Sequence, residues 1–130
     1  MNRRESREQA FVFIFEKSFN TDMSLEELIE NAELADDTVT DDFAVRLFNG
    51  VYDNIAELDD VISKHLNGWA INRIPRVTLC LLRLAVYQMN MCEDIPVSVA
   101  INESVELAKK FATEEDASYL NGVLGSISRV

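Results

Sequence analysis

Histidine is nearly absent from the chain. His65 is the only one in 130 residues, which excludes an ordinary zinc site, because such sites draw on several His and Cys ligands. It also leaves a catalytic triad without a second base candidate, and no nucleophile elbow is present. Cys80 and Cys92 are the only cysteines. They form no CxxC and read as reduced, part-buried thiols of a reducing compartment. Four glycines and two prolines are too few for a sandwich or barrel that turns every 8–12 residues or so. The glycines, at 50, 68, 122 and 125, build no phosphate-cradling loop. No apolar stretch follows the charged start MNRRESREQA as a signal peptide would. The longest apolar run, Val77 to Met91, covers about 15 residues where a bilayer needs about 20. Cations are scarce as well: 12 Lys+Arg against 23 Asp+Glu leave a net charge of −11. A general DNA coater with a broad basic face is thereby excluded. Screening over roughly 8 Å still lets a small basic cluster keep its own sign. These absences point to a cytoplasmic protein that is not an enzyme and takes no metal or cofactor.

What is present is helical. Apolar residues make up 48% and charged residues 27%, which is ordinary for one globular domain with its own core. A first helix is expected from about Arg3 to Ser18 on the spacing of Ala10, Phe11, Ile14 and Phe15. Ser24 with Glu27 predicts a capping box for a short second helix bearing Leu25, Leu28, Ile29 and Ala32. An acidic loop over 36–42 ends at a Thr38 or Thr40 cap, and a third helix carries Phe43, Leu47, Val51 and Ile55. Asn54 with Glu57 predicts another capping box, for a fourth helix with Leu58, Val61, Ile62 and Leu66 that Asn67-Gly68 closes. Pro75 suits the first position of a fifth helix, apolar nearly all round and therefore central. After Pro96, Val97, Ile101, Val105, Ala108 and Phe111 line one face of a sixth. A cap within Thr113 to Asp116 opens a seventh with Leu120, Val123, Leu124 and Ile127 inside. The expectation is an all-α domain of about seven helices, with subdomains of about 1–68 and 69–130 meeting near Gly68.

Most charged and polar clusters have a plain explanation. Asp41-Asp42, Asp59-Asp60 and Glu114-Glu115-Asp116 fall at loops and helix starts, where they favour the helix dipole. His65 reads as a surface residue near a helix C-terminus. The opening is different: Arg3, Arg4 and Arg7 join the α-amino group at a helix end that is already positive. Arg3 and Arg7 lie one turn apart as like charges, with Glu8 placed to offset Arg4. Either this is a solvated terminus with incidental arginines, or it is a phosphate contact.

Longer motifs bear on that choice. Asp94-Ile95-Pro96, then VAINESVELAKKF over 99–111, then Tyr119-Leu120-Asn121-Gly122-Val123-Leu124 resemble the bacterial NusB family's pattern. Arg83-Leu84-Ala85-Val86-Tyr87 is similar to its central helix, with Gln88 where that family usually has an acid. Arg3-Arg4 and Arg7-Glu8-x-Ala10 resemble its arginine-rich opening, with Glu5 where another basic residue is frequent. Together these motifs span essentially the whole chain.

The resemblance implies two helical subdomains and a role in antitermination and termination control of ribosomal-RNA transcription. It implies binding of boxA, a short single-stranded RNA element, together with the small-subunit ribosomal protein NusE, and docking on elongating RNA polymerase, with no catalysis and no cofactor. It places phosphate and base-edge contacts on Arg3, Arg4 and Arg7, and a stacking aromatic on Tyr119. Lys109 and Lys110 extend the basic path or form a solvated helix end. Tyr119 is equally readable as a rim tyrosine with its hydroxyl in water. Gly122 costs a helix about 1 kcal/mol relative to Ala, and close packing is favoured over a ligand's approach as its reason. Two other functions stay open. One is a protein-interaction module; the other is the RNA-binding appendage of a ribosomal-RNA cytosine methyltransferase, which needs a large downstream cofactor domain beyond Val130. A homodimer pairing the RNA or partner surface is also left open.

Overall fold

The computed structural model describes residues 1–36 and 39–129. Among the described residues seven α-helices follow one another: α1 (Arg3–Phe19), α2 (Leu25–Asp36), α3 (Asp42–Asp53), α4 (Ile55–Ser63), α5 (Arg76–Met91), α6 (Val97–Phe111) and α7 (Glu114–Ser128). One 3-10 turn, Ile71–Arg73, precedes α5, and no strand occurs among the described residues. The all-α expectation is therefore met.

Local chemistry accounts for the boundaries, with corrections. Asn2 and Glu5 close a capping box on α1, so the acid that dilutes the basic opening also satisfies its first amides. Half of the predicted Ser24–Glu27 box forms: Ser24 Oγ accepts from the Glu27 amide at 3.1 Å, while the Glu27 carboxylate accepts from the Ser24 hydroxyl at 3.2 Å in place of the Ser24 backbone amide. Thr113 and Asp116 form the box that starts α7. The predicted box of Asn54 and Glu57 does not form. The Asn54 side chain instead donates to Gly50 O at 2.8 Å, because α4 follows α3 with a single residue between them. Ile55 accordingly starts α4 and does not belong to α3. The cap of α3 is Asp41, which accepts from the Ala44 amide at 2.9 Å. Thr40 does not hold that place, and Thr38 lies outside the described residues. Pro75 sits one position earlier than expected, as the cap of α5, and Pro96 is the cap of α6, which starts at Val97. Helix α4 ends at Ser63, so Leu66 and Gly68 belong to a turn beyond it. There Asn67 (φ 51°) and Gly68 (φ 87°) take left-handed conformations, and Trp69 N donates to Leu66 O at 3.1 Å. That is a type I′ turn, which asparagine and glycine suit.

Helix α5 is central, as its sequence demands. Nine of its sixteen residues are buried, and it packs against α1, α3, α4, α6 and α7. Cys80 and Cys92 are free thiols inside the protein, and burial raises the pKa of both. Leu120, Val123, Leu124 and Ile127 form the buried row of α7. On α6 the expected row is rotated. Ala100, Ser104, Leu107 and Ala108 face inward, while Val97 and Phe111 are exposed. Small Ala100 and Ser104 suit the inner face, because α6 lies between α5 and α7.

Polar ties set the helices' relative positions. The Ser6 hydroxyl donates to the Asp41 carboxylate, and Tyr52 Oη donates to Ile14 O at 2.7 Å, so α3 is fixed to α1 at both ends. Burial raises the Asp41 pKa, but hydrogen bonds from Ser6 and the Ala44 amide outweigh it and hold it below the usual value. Arg83 grips Asp59 of α4 at 2.7 and 2.9 Å. Arg46 grips Asp94, before α6, at 2.9 and 2.6 Å. Gly50 admits the Tyr87 ring, since a Cβ there would lie 1.9 Å from Tyr87 Cζ.

Candidate nucleic-acid interface

The capping box directs the first turn of α1 so that its three arginines meet three different surroundings. Arg3 is exposed and lies over the Phe43 ring, 4.0 Å from its centroid. It makes no ion pair among the described residues. A cation over an aromatic face at such a site is worth about 0.5–1 kcal/mol, so the ring orients the guanidinium while water still reaches it. Arg4 reaches across to α6, where Nη2 lies 2.9 Å from Glu103 Oε2. That pair is mostly exposed on the arginine side, at 67%, and is therefore weak and displaceable. The Glu103 hydrogen bond and charge raise the Arg4 pKa.

Arg7 departs from expectation. It is only 5% exposed, and Nε donates to Gln88 Oε1 at 2.8 Å. Gln88, itself fully buried, donates its amide to Leu84 O at 3.1 Å. Burial lowers the Arg7 pKa, and the charge of Glu103 opposes that shift. A guanidinium remains charged under such pressure, so Arg7 carries a positive charge held inside by a neutral partner. Its guanidinium also lies 5.3 Å from the Phe43 centroid. Arg7 thus positions the start of α1 against α3 and α5 instead of presenting its head to solvent.

The two lysines of α6 are engaged as well. Lys110 pairs with Glu8, so Glu8 serves α6 and not Arg4. Lys109 lies 3.5 Å from Glu106 in an exposed pair. Arg4, Lys109 and Lys110 are therefore each paired with a nearby carboxylate, Arg7 is held by the neutral Gln88, and Arg3 is exposed with no carboxylate partner among the described residues.

Tyr119, on α7, is half-buried, and its hydroxyl is wholly buried without a hydrogen-bond partner. Burial raises its pKa. The alternative of a rim tyrosine with its hydroxyl in water is thus not realised. What remains accessible of this residue is other than its hydroxyl. Gly122 also departs from expectation: it is exposed, and a Cβ there would meet nothing within 4 Å, so close packing is not its reason. His65 shares a 2.8 Å hydrogen bond with Ser126, tying the end of α4 to α7.

Arg3, Arg7 and Tyr119 do not converge on one pocket; three adjoining depressions connect this side of the molecule. One, of about 240 Å³, includes Arg4, Arg7, Glu103 and Lys110 in its wall. The next, a groove of about 730 Å³ between α6 and α7, includes Arg4, Glu103, Lys109, Ser118 and Asn121. The last, of about 180 Å³, includes His65, Ser118, Tyr119 and Gly122. Arg4 is common to the first two and Ser118 to the last two. Phe43 and Ser118 were not singled out from the sequence. Phe43 read only as a core position, and nothing local marks Ser118. Among the described residues no group of three or more His, Cys, Asp or Glu could hold a metal ion. No described helix is long and apolar enough to cross a membrane.

Comparison with known proteins agrees with this architecture. The family model described as "NusB family" matches residues 4–129. The transcription antitermination protein NusB of Bacillus subtilis (strain 168) is 42% identical over 127 residues, covering 98% of this chain and 95% of that protein. Among solved structures, NusB of T. maritima superposes with a TM-score of 0.86 at 35% identity, covering 99% of this chain and 92% of that one. A crystal structure of the antitermination factors NusB and NusE in complex with dsRNA superposes at 0.85 with 25% identity, covering 98% and 96%. On the family match across nearly the full length and on these relatives, the chain belongs to the NusB family.

Proposed function

We propose that this chain is a transcription antitermination factor that binds a boxA-type single-stranded RNA jointly with NusE, and that the assembly docks on elongating RNA polymerase. It acts in the cytoplasm as a binding adaptor, with no catalytic step or cofactor of its own. One observation carries the reading: the depressions bearing Arg4, Lys110, Lys109 and Tyr119 share walls in sequence. A strand laid along them meets cations first and an aromatic ring last. Arg3 and Arg4 steer phosphates, Lys109 and Lys110 continue the path, Tyr119 stacks on a base, and Arg7 holds α1 in place. Since carboxylates neutralise most of that path, binding by the chain alone is modest. A basic partner strengthens it by complementary charge.

An unpaired strand is the better substrate, because only unstacked bases offer their faces to an aromatic. The test is fluorescence anisotropy of a labelled boxA RNA, single-stranded or annealed to its complement, with and without NusE. The single strand binds more tightly than the duplex, and NusE strengthens it. Tyr119→Ala weakens single-strand binding by roughly 1–3 kcal/mol, and Arg3→Ala/Arg4→Ala weakens it further. Unchanged affinity in all these variants would remove the assigned interface.

A further inference from the structure

We propose that the depression beside Tyr119 is a receptor for a single unpaired nucleobase, opened by the missing side chain of Gly122 and edged by His65 and Asn67. The inference deepens the RNA-binding reading above and rests on it. Tyr119 and Gly122 are three residues apart on α7 and share a face. Gly122 lies mid-helix, where glycine is destabilising. It has no left-handed backbone to justify it, since Gly68 is the glycine with positive φ, and no neighbour crowds its Cβ position. Its effect is to leave open space next to the tyrosine, where glycine permits close approach of a ligand to the backbone.

The chemistry of the walls suits a base and not a phosphate. The two neighbouring depressions both contain carboxylates and cations, whereas no Asp, Glu, Lys or Arg lines this one. Tyr119 turns its hydroxyl inward without a partner, which leaves its ring as the stacking surface, while Val123 adds an apolar wall. His65 is fixed through Nδ1 by Ser126, so its Nε2 is free of that bond. Asn67 stands in the left-handed position of the turn after α4, and its amide offers both a donor and an acceptor. Base edges are read by such groups once a base has left its stack.

The test fills the receptor. Gly122→Leu places an isobutyl group in the open space, starting from a Cβ that meets no protein atom within 4 Å. Its melting temperature should equal or exceed that of the wild type. With NusE present, its affinity for single-stranded boxA RNA should fall ten-fold or more. A set of RNAs, each lacking one base at a single abasic position, supplies the second measurement. One abasic RNA should bind the wild type ten-fold more weakly than intact RNA does, yet bind Gly122→Leu no more weakly. If Gly122→Leu binds intact RNA as tightly as the wild type, the receptor is refuted and RNA binding stands. If the wild type binds no RNA even with NusE, the functional reading falls and the receptor with it.

Discussion

Arg7 separates a positioning role from a contact role. Its guanidinium is buried against Gln88 Oε1 at 2.8 Å, so Arg7→Met keeps an unbranched stem but leaves a buried acceptor without its donor. An orphaned buried polar group costs about 1–3 kcal/mol, and the loss of the cation near Phe43 adds about 0.5–1 kcal/mol. Arg7→Met should therefore destabilise the protein by about 1.5–4 kcal/mol. At about 3–5 °C per kcal/mol for a domain of this size, Tm falls by about 5–20 °C. Removing both polar partners together is far less costly than removing one. Arg7→Met/Gln88→Leu should thus recover most of the loss, measured by urea and thermal unfolding. RNA affinity of the double variant with NusE, measured well below its Tm, should lie within two-fold of wild type. A stable double variant that lost RNA affinity ten-fold would mean that Arg7 touches RNA directly. A cost under about 0.5 kcal/mol for Arg7→Met would mean that the bond to Gln88 carries no structural weight.

Other outcomes follow from individual contacts. Gly50→Ala drives a Cβ into the Tyr87 ring at 1.9 Å, and overpacking of this severity falls at the upper end of about 1–3 kcal/mol. Gly122→Ala, in open space, should instead stabilise by up to about 1 kcal/mol; chemical denaturation of the two variants should therefore show opposite signs. Asp94 is held at about 2, first by its hydrogen bond from Arg46, against a usual 3.8. A carboxylate with a depressed folded pKa stabilises above the unfolded value and loses that contribution as pH falls through the folded one. The wild type should therefore lose stability between about pH 4 and pH 2, and Asp94→Asn should flatten that window in acid titration of the unfolding midpoint. Glu103→Gln frees Arg4 from its 2.9 Å pair and should raise RNA affinity at low salt, as read by anisotropy; no change would show that Arg4 does not meet phosphate.

The fold was legible wherever one helix declares its own face. Helix α5 is apolar nearly all round because it packs against five others, and the α7 row needs no partner to be read. Helix α6 misled because Ala100 and Ser104 are inward by fit, not by hydrophobicity. The Asn54 box failed because two helices compete for one residue. At the interface, residue types were readable but their engagement was not. Arg7 and Gln88 are 81 positions apart, and Arg4 and Glu103 are 99 apart; no local pattern pairs them. Gly122 could be flagged as costly from sequence, yet only its empty surroundings turn the explanation from packing to ligand.

The most direct measurement is the salt dependence of RNA affinity in the presence of NusE, for the wild type and for Arg3→Ala/Arg4→Ala. Each phosphate met by a cation on a single strand contributes a log–log slope of about −0.7, so the double variant should flatten the slope by about 1.4. An identical slope for both proteins would contradict a cationic edge of α1 that grips the RNA backbone.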